Sequence, residues 1–354
     1  MDMFIGRERE LNALEKLYTS NKFEFVVIYG RRRVGKTALI TRFLGDKKAI
    51  YIMGVESNAR QNLENLSKSI IEYSSGIETE SSFLSFQAAL EYVFKLAETE
   101  RLILAIDEYP YIARSSKSLA STLQLLIDKY KDSSKLMLIL CGSSLSYMED
   151  HVLAYKAPLY GRKTAQMKVL PFDFEETCHY FKGFSAVDKA LIYGIVGGTP
   201  QYLLQMNDNL SVEDNMFRFW YRFVLENNSA IARGATDLVY KRIEPELSDY
   251  MGKVFEEICK QYLWRQLLTD KCPVQFTSLG RWWGTDSAEK CQVEIDIMGE
   301  QDKDTILLAE CKWTNEKVDL GILETLTKRS RLFSYKNTHL YLFSKSGFTK
   351  GCID

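Results

Sequence analysis

The sequence predicts an α/β fold: a doubly wound parallel sheet with a helical lid, followed by a second, smaller α/β domain. Three observations predict this fold. Apolar runs of strand length alternate with stretches of helical periodicity through the N-terminal half of the chain. A glycine-rich turn directly follows the first of these runs. A later block, which begins near residue 247, has its own succession of helices and strands.

The N-terminal half is organised as alternating strands and helices. A short helix is expected over residues 1–20, and the apolar run 23–29 suits a strand that is buried on both faces of a sheet. The other predicted strands of this half are 49–53, 102–106, 136–141 and 165–170, and the predicted helices are 36–43, 58–73, 82–97 and 118–130. Such alternation is typical of a parallel sheet with helices on both faces.

The chain changes character after residue 170. A helical tract begins in this region and the sequence G-G-T-P at 197–200 interrupts it, which predicts a small helical lid. The last block is expected to form helix 251–268, strands 274–279, 293–299 and 305–313, helix 320–331 and strand 339–344. The expected domains are therefore a core at 1–170, a lid at 171–215, an aromatic helical connector at 216–246 and a C-terminal domain at 247–354.

Composition and charge exclude several classes of function. The chain has 354 residues, and its 46 basic and 47 acidic side chains give a net charge of −1, which excludes an electrostatic grip on nucleic acid by the whole chain. No apolar run approaches the roughly 18 residues of a membrane span. Since a signal-peptide pattern is also lacking, we expect a cytoplasmic protein with no membrane partner. The 7 cysteines form no C-x-x-C pair, so reduced thiols are expected rather than a metal cage.

The strongest motif is G-R-R-R-V-G-K-T at residues 30–37, between a predicted strand and a predicted helix. Gly30 and Gly35 allow a tight turn whose backbone N–H groups point at phosphate oxygens, and the following helix presents its positive end to the same anion. Lys36 supplies a charge to the β- and γ-phosphates, and Thr37 offers a hydroxyl to Mg²⁺. The remaining residues expected to line this nucleotide site are Arg31, Arg32, Arg33, Val34 and Ala38.

A second motif, L-I-L-A-I-D-E at residues 102–108, ends an apolar strand in two carboxylates. Asp107 is expected to hold Mg²⁺ through water, and Glu108 to orient and deprotonate the attacking water. An acidic pair after a strand is common, and its position after a phosphate-binding loop gives it weight. Glu108 also favours hydrolysis of the nucleotide over mere storage of it.

Three weaker elements point to the same site, and each has a simpler explanation. The segment with Ile5, Gly6 and Arg7 could cover an adenine ring, or could be a helix start with solvated charges. Ser143 follows a strand and could sense the γ-phosphate, or could be a helix cap. Arg162 could reach the phosphates from its own or a neighbouring subunit, or could be a surface side chain. The three loop arginines are interpreted as solvated or DNA-facing rather than catalytic.

Taken together, these motifs resemble the archaeal-type ATPases, which are AAA+-related P-loop proteins close to the signalling and origin-recognition ATPases. The resemblance rests on F-I-G-R-E-R-E, G-R-R-R-V-G-K-T, L-A-I-D-E-Y, L-C-G-S-S, L-Y-G-R and G-G-T-P-Q-Y-L, and covers residues 1–210. It implies ATP and Mg²⁺ as cofactors, Arg162 as a finger or sensor arginine, and Pro200 packed on the adenine. Such proteins usually carry a winged-helix DNA-binding segment after the lid, and this sequence offers none.

The C-terminal block carries a second constellation of charged residues. Glu256 lies in a predicted helix, Asp296 in a strand, and Glu310 and Lys312 on one side of the next strand. This arrangement resembles the PD-(D/E)XK nucleases, of restriction-endonuclease-like fold, in which two acids bind Mg²⁺ and a lysine stabilises charge at the phosphate. The alternative is a solvated ion pair between Glu310 and Lys312, without catalysis.

Two functions follow from these motifs. In the first, ATP hydrolysis moves a nuclease-like C-terminal domain that acts on DNA. In the second, bound nucleotide controls assembly, for example of a homo-oligomer, and the C-terminal domain is a non-catalytic interaction module. A GTPase is not expected, because the sequence has no N-K-x-D guanine-reading motif.

Overall fold

The structure is a computed structural model, and it describes residues 4–76, 81–205, 219–286 and 289–353. The chain forms two compact units. The first comprises Met1–Phe172 and Thr199–Leu204, and the second comprises Asp173–Gly198 and Gln205–Asp354. The junction between the expected lid and the aromatic connector falls within residues 206–218, which lie outside the described residues.

The first unit is built on a five-stranded parallel sheet, with the strand order β2-β3-β4-β1-β5. Its strands are β1 (Glu24–Tyr29), β2 (Ala49–Met53), β3 (Leu102–Asp107), β4 (Leu136–Gly142) and β5 (Ala165–Lys168). Every residue of β1, β3 and β4 is buried, as a strand covered on both faces requires. The predicted parallel α/β sheet is confirmed, and β5 ends two residues earlier than expected.

Seven helices precede β5 in the described part of the first unit. They are α1 (Glu8–Thr19), α2 (Lys36–Leu44), α3 (Ala59–Ser75), α4 (Phe86–Thr99), α5 (Tyr109–Ser115), α6 (Leu119–Tyr130) and α7 (Leu145–Met148). The helices α1, α2, α3, α4 and α6 match the predicted helices, whereas α5 and α7 were not predicted. Side-chain caps fix two of the starts, because Asn58 accepts from the backbone of Gln61 and Ser85 from that of Ala88. A π-helical turn, Glu149–Leu153, continues α7.

Alternation along β1 divides the apolar residues between two cores. Phe25 and Val27 pack in a cluster that includes Leu90 of α4, whereas Val26 and Ile28 pack in a cluster that includes Leu39 of α2. Helices therefore cover both faces of the sheet. Because all the strands are parallel, their carboxyl ends meet at one edge, and this edge is where open α/β sheets bind ligands.

Three short helices follow in the chain: α8 (Phe174–Cys178), α9 (Ala186–Val196) and α10 (Pro200–Gln205). Asp173 forms a capping box with Glu176 at the start of α8. Arg265 also binds Asp173, at 2.7 Å, and Gln261 donates to the hydroxyl of Tyr193 at 2.9 Å. These contacts hold α8 and α9 within the second unit.

The second unit contains a four-stranded mixed sheet with the order β6-β7-β8-β9. Its elements are a π-helical turn (Trp220–Val224), a 3₁₀ turn (Leu225–Asn227), α11 (Asn228–Ala232), α12 (Thr236–Leu268), β6 (Gly280–Asp286), β7 (Cys291–Glu300), β8 (Thr305–Lys312), α13 (Leu320–Ser330), β9 (Asn337–Ser344) and α14 (Lys350–Ile353). β6–β7 and β7–β8 pair antiparallel, and β8–β9 pair parallel.

Two sequence predictions fail in this unit. Residues 274–279 form no strand; the edge strand β6 begins only at Gly280. Val274 and Phe276 are nevertheless buried in the core that contains Leu263 of α12. Their apolar alternation therefore reflects burial of the two side chains and not pairing with another strand. The helix predicted to begin at residue 251 begins at Thr236. None of the helices in the described ranges is both long enough and apolar enough to cross a membrane.

Candidate functional site

The glycine-rich turn between β1 and α2 needs glycine at both ends. A Cβ at Gly30 would lie 2.3 Å from the carbonyl oxygen of Val169, which is closer than two atoms that are not bonded to each other can approach. Gly35 has a φ of +88°, a conformation that residues with a side chain rarely adopt. The turn therefore folds tightly at the carboxyl end of the interior strand β1, as the sequence motif predicts.

Lys36 is buried, and its ammonium group faces the turn that precedes it. Its Nζ donates to the carbonyl oxygen of Gly30 at 3.0 Å and to that of Arg31 at 2.8 Å. These two contacts hold the positive charge inside the curve of the loop. Thr37 and Ala38 are exposed in the first turn of α2. The backbone N–H groups at this helix start are therefore available to an anion.

Asp107, at the end of β3, is 1 % exposed and accepts hydrogen bonds on both carboxylate oxygens. Oδ2 accepts from the Thr37 hydroxyl at 2.6 Å and from the Tyr51 hydroxyl at 3.2 Å. Oδ1 accepts from the backbone N–H of Glu108 at 2.9 Å. The two residues predicted to hold the metal, Thr37 and Asp107, are thus in direct contact.

Glu108 lies beside the end of the neighbouring strand β4. Its Oε2 accepts from the backbone N–H of Ser143 at 3.2 Å and from the Ser143 hydroxyl at 2.9 Å. A pocket of about 270 Å³ opens next to both residues, and Arg32 and Arg114 also line it. The structure therefore brings the predicted base and the predicted sensor together at the same edge as the loop.

The N-terminal segment is more than a solvated helix start. Arg7 is buried, and its guanidinium donates to the carbonyl oxygens of Val34 at 2.9 Å and Leu170 at 2.6 Å, and stacks 4.5 Å above the ring of Phe172. Ile5 and Gly6, just before it, are half-buried. The simpler explanation, with its charges in solvent, is therefore wrong for Arg7. The segment is attached to the loop itself through Val34.

Pro200 also lies next to the loop. It is buried, and a Cβ placed on Gly35 would sit 3.6 Å from the Pro200 Cγ. Arg33 donates to the hydroxyl of Tyr202 at 3.1 Å. Arg32 donates to the hydroxyl of Tyr111 at 2.8 Å. Two of the three loop arginines thus contact tyrosines of the first unit, and all three are exposed, which agrees with the expectation that they are solvated.

Arg162 is held away from the loop residues by another contact. Its Nε and Nη2 bind both carboxylate oxygens of Asp128 on α6, at 2.9 and 2.6 Å, and its Nη1 donates to the carbonyl oxygen of Pro158. The hydrogen bonds to Asp128 raise the pKa of the Arg162 guanidinium. The structure therefore does not bring this arginine to Lys36 or Glu108 within one chain, and its catalytic role stays a prediction.

The charged residues of the predicted nuclease-like site form ion pairs in the second unit, at the helix α12 and at the strand β8. Glu256 on α12 is paired with Arg281, which also binds Glu294 at 2.7 Å. Burial raises the pKa of Glu256, and the nearby Asp296 charge raises it further, while the hydrogen bond from Arg281 opposes both. Asp296 accepts from the backbone N–H of Cys311 at 2.8 Å.

Glu310 and Lys312 lie on one side of β8, as predicted, and their charged groups are 2.6 Å apart. Glu310 is buried and also binds Arg329 of α13 at 3.2 Å. Along the same strand, Leu308 packs with Leu326 of α13, so Glu310 continues the face that α13 covers. Glu256 belongs to the helix α12, which packs with Ala309 and Leu307 of the other face.

Glu256 and Glu310 thus lie at opposite faces of the second sheet, and this arrangement bears on the predicted Mg²⁺ site. Within the part of the chain that the structure describes, no group of three or more His, Cys, Asp or Glu side chains could hold a metal ion. The physical reason is visible in the contacts, because Arg281 neutralises Glu256, and Lys312 together with Arg329 neutralises Glu310. Among the described residues, Glu256, Asp296 and Glu310 are not gathered into such a group, and their role at a metal stays a prediction.

Sequence reasoning missed Tyr51 as a member of the site. Its one available signal was a polar hydroxyl on an otherwise apolar strand, A-I-Y-I-M. Only the pairing of β2 with β3 reveals that this hydroxyl reaches Asp107.

Two protein families match this sequence, one over the first part of the chain and one over the second. Residues 4–206 match a family described as an ATPase domain predominantly from Archaea. Residues 220–323 match a family described as archaeal and bacterial proteins of unknown function. These matches support nucleotide binding and hydrolysis for the first unit and leave the activity of the second undefined.

Relatives and solved structures include proteins of several archaea. The chain is 27% identical over 407 residues to the uncharacterized protein MJECL04 of Methanocaldococcus jannaschii, covering 89% of this chain and 88% of that one. It is 52% identical over 46 residues, 13% of this chain and 78% of the relative, to the uncharacterized ATP-binding protein MJ0423 of the same organism.

Among solved structures, the Walker-type ATPase PABY2304 of Pyrococcus abyssi is 21% identical, with a TM-score of 0.47 over 69% of this chain and 78% of that one. The ORC2 protein of Aeropyrum pernix, in complexes with ADPNP and ADP, is 15% identical, with a TM-score of 0.43 over 69% and 70%. The loop, the acidic pair and the family match over more than half of the sequence lead to one conclusion: the chain belongs to the family of ATPase domains found predominantly in Archaea.

Proposed function

We propose that the first unit binds ATP together with Mg²⁺ and hydrolyses it, and that the bound nucleotide controls what the second unit does. The observation that carries this proposal is the convergence of Lys36, Thr37, Asp107 and Glu108 at one edge of the parallel sheet. A hydroxyl and a carboxylate are the hard oxygen ligands that Mg²⁺ prefers, so the donor set fits this ion.

Each residue of this group would have a defined task. Backbone N–H groups of the loop and the Lys36 ammonium hold the β- and γ-phosphates. The Thr37 hydroxyl donates a hydrogen bond to Asp107, which would leave the lone pairs of the hydroxyl oxygen for the metal. Asp107 would hold Mg²⁺ through water, and Glu108 would take a proton from the attacking water. Bound Mg²⁺ would supply charge neutralisation at the phosphate oxygens.

Two contacts of the phosphate-binding loop support a position for the adenosine part of bound ATP. Arg7 fixes the N-terminal segment on Val34, and Pro200 lies against Gly35. We propose that Ile5, Gly6 and Pro200 border the adenine. Residues at both ends of the first unit's sequence would then close around one nucleotide.

Steady-state ATP turnover tests this function. The wild type is compared with Lys36→Ala, which removes the charge on the phosphates, and with Glu108→Gln, which removes the base but keeps the shape. We expect phosphate release to fall by at least about 100-fold in both variants. Glu108→Gln should still bind ATP, whereas Lys36→Ala should bind it weakly. Equal phosphate release by all three proteins would refute the proposal.

For the second unit, the ion pairs favour an interaction module without catalysis. Both Glu256 and Glu310 already have cationic partners within the chain. A nuclease-like unit acting on DNA is the second candidate, and the shared side of Glu310 and Lys312 on β8 supports it. A nicking assay on plasmid DNA with Mg²⁺ or Mn²⁺ separates the two. Nicking by the wild type that is lost in Asp296→Ala would favour the nuclease, and its absence under both metals would favour the module.

A further inference from the structure

Two side chains around Asp107, Tyr51 of β2 and Cys141 of β4, have no task assigned by either motif, and the Tyr51 hydroxyl donates to the carboxylate at 3.2 Å. The strand β2 pairs with β3 so that Tyr51 is opposite Ala105. Tyr51 and Ala105 both pack in the core that α1 and α2 cover. Ala105 lies two residues before Asp107 on β3, so these two residues face the same side of the sheet. Alternation therefore aims Tyr51 and Asp107 at the same side of the sheet, where the first turn of α2 carries Thr37.

The hydrogen bonds of Asp107 show how its orientation is set. Oδ1 is tied to the backbone of Glu108, and Oδ2 receives the hydroxyls of Thr37 and Tyr51. Thr37 would also serve as a ligand of the metal, so its hydroxyl would be shared between Asp107 and that ion. Tyr51, in contrast, is a hydroxyl donor to Oδ2 that is attached to a strand of the sheet.

Tyr51 is also suited to remain a donor. A phenol hydroxyl has an ordinary pKa of about 10, so it carries its proton at neutral pH and can donate to Asp107 Oδ2. A buried carboxylate with fixed donors cannot rotate freely, which presents its remaining lone pairs in one direction.

We infer that Tyr51 is a positioning residue for the metal-dependent step: its hydroxyl fixes the Asp107 carboxylate in the orientation that receives the water molecules of Mg²⁺. This inference rests on the proposed Mg²⁺-dependent ATPase function. Partners that orient metal-site carboxylates typically change metal affinity or activity by about 10- to 100-fold when they are removed.

The test varies free Mg²⁺ at saturating ATP and compares the wild type with Tyr51→Phe, which removes the hydroxyl alone. The matched control is Tyr73→Phe. Tyr73 also donates to a carboxylate, that of Glu100 at 3.0 Å, but Glu100 follows α4, at the end of the sheet where β3 begins. Two further measurements are the maximal turnover at saturating Mg²⁺ and the affinity for ADP in EDTA.

We expect Tyr51→Phe to raise the half-saturating Mg²⁺ concentration by about 10-fold. Maximal turnover and metal-free ADP affinity should stay within about twofold of the wild type, since the loop and Glu108 are untouched. Tyr73→Phe should match the wild type in all three measurements.

Three results would overturn the inference. One is an unchanged Mg²⁺ dependence in Tyr51→Phe, and another is a fall in turnover that saturating Mg²⁺ does not relieve. The third is loss of the folded state in Tyr51→Phe, which would assign the hydroxyl to stability. A wild type without Mg²⁺-dependent turnover would instead refute the proposed function, so the two failures are distinguishable.

Discussion

The carboxylate of Glu108 is held by Ser143 through two hydrogen bonds, one from its backbone N–H and one from its hydroxyl. Glu108 also has a φ of +48°, a left-handed conformation that is unusual for a residue with a side chain. Strained backbone of this kind persists only where surrounding contacts enforce it. The end of β4 therefore determines where the proposed base points.

The first prediction concerns the Ser143 hydroxyl. Ser143→Ala removes one of two donors to Glu108, so the base should be less well oriented, and we expect turnover to fall about 10-fold. The affinity for ATP should stay within about twofold, because the hydrogen bond of the Ser143 hydroxyl goes to Glu108 and not to Lys36 or Thr37. Ser144→Ala is the matched control, since the Ser144 hydroxyl contacts Arg114 instead. Unchanged turnover in Ser143→Ala would exclude the positioning role.

The second prediction uses two glycines with opposite surroundings. Gly30→Ala would push a methyl group onto the backbone of Val169, and we expect it to destabilise the first unit by about 1–3 kcal/mol and to weaken ATP binding. Gly252→Ala, in α12, meets no atom within 4 Å and should stabilise its helix by about 0.5–1 kcal/mol. Chemical denaturation of both variants measures this. Destabilisation of equal size at the two positions would contradict the steric argument.

The third prediction concerns Arg162, which is bound to Asp128 within its own chain. If the arginine acts on the nucleotide of a neighbouring copy, Arg162→Ala and Glu108→Gln should each be inactive alone, and their mixture should recover part of the wild-type turnover. The recovery arises because one copy supplies the arginine and the other an intact Glu108. A mixture as inactive as its components would exclude action between subunits. A mixture of Lys36→Ala with Glu108→Gln is the control, since both lesions lie in the nucleotide site of their own copy.

The fourth prediction concerns the pH dependence of stability at Glu256. Because its pKa is raised above the ordinary 4.5, the folded protein binds this proton more tightly than the unfolded chain. The stabilising contribution is therefore complete below 4.5 and is lost as the pH rises through the folded-state pKa. Glu256→Gln should raise the Tm relative to the wild type more at neutral pH than at about pH 4.

The matched control for this prediction is Glu257→Gln, on the exposed side of the same helix. Its Tm difference from the wild type should change little between the two pH values. A difference for Glu256→Gln that is equal at both pH values would show that its ionisation costs the fold nothing.

The parallel sheet could be predicted because each of its central strands is a continuous apolar run. β1, β3 and β4 are buried on both faces, and such strands need no partner to be recognised in a sequence. β6 could not be recognised in this way. It is an edge strand with two glycines, and it has an exposed Trp283 next to a half-buried Trp282, so its pattern carries little periodic signal.

For the site, the sequence motifs located Lys36, Thr37, Asp107 and Glu108, because local backbone geometry at the end of a strand places them. Contacts between distant segments escaped prediction. Arg7 reaches Leu170, and Tyr51 reaches Asp107, through neighbour relations that only the folded chain creates.

The amino-acid order alone determined the phosphate-binding turn, since its glycines and the helix that follows are neighbours along the chain. The tertiary structure decided which charges are neutralised and which remain available. Glu256 and Glu310 carry the residue types of a nuclease, but the folded chain supplies Arg281 and Arg329 to them as partners. The physical reason is that an ion pair depends on distances of a few ångströms between side chains, and the sheet and its helices set those distances.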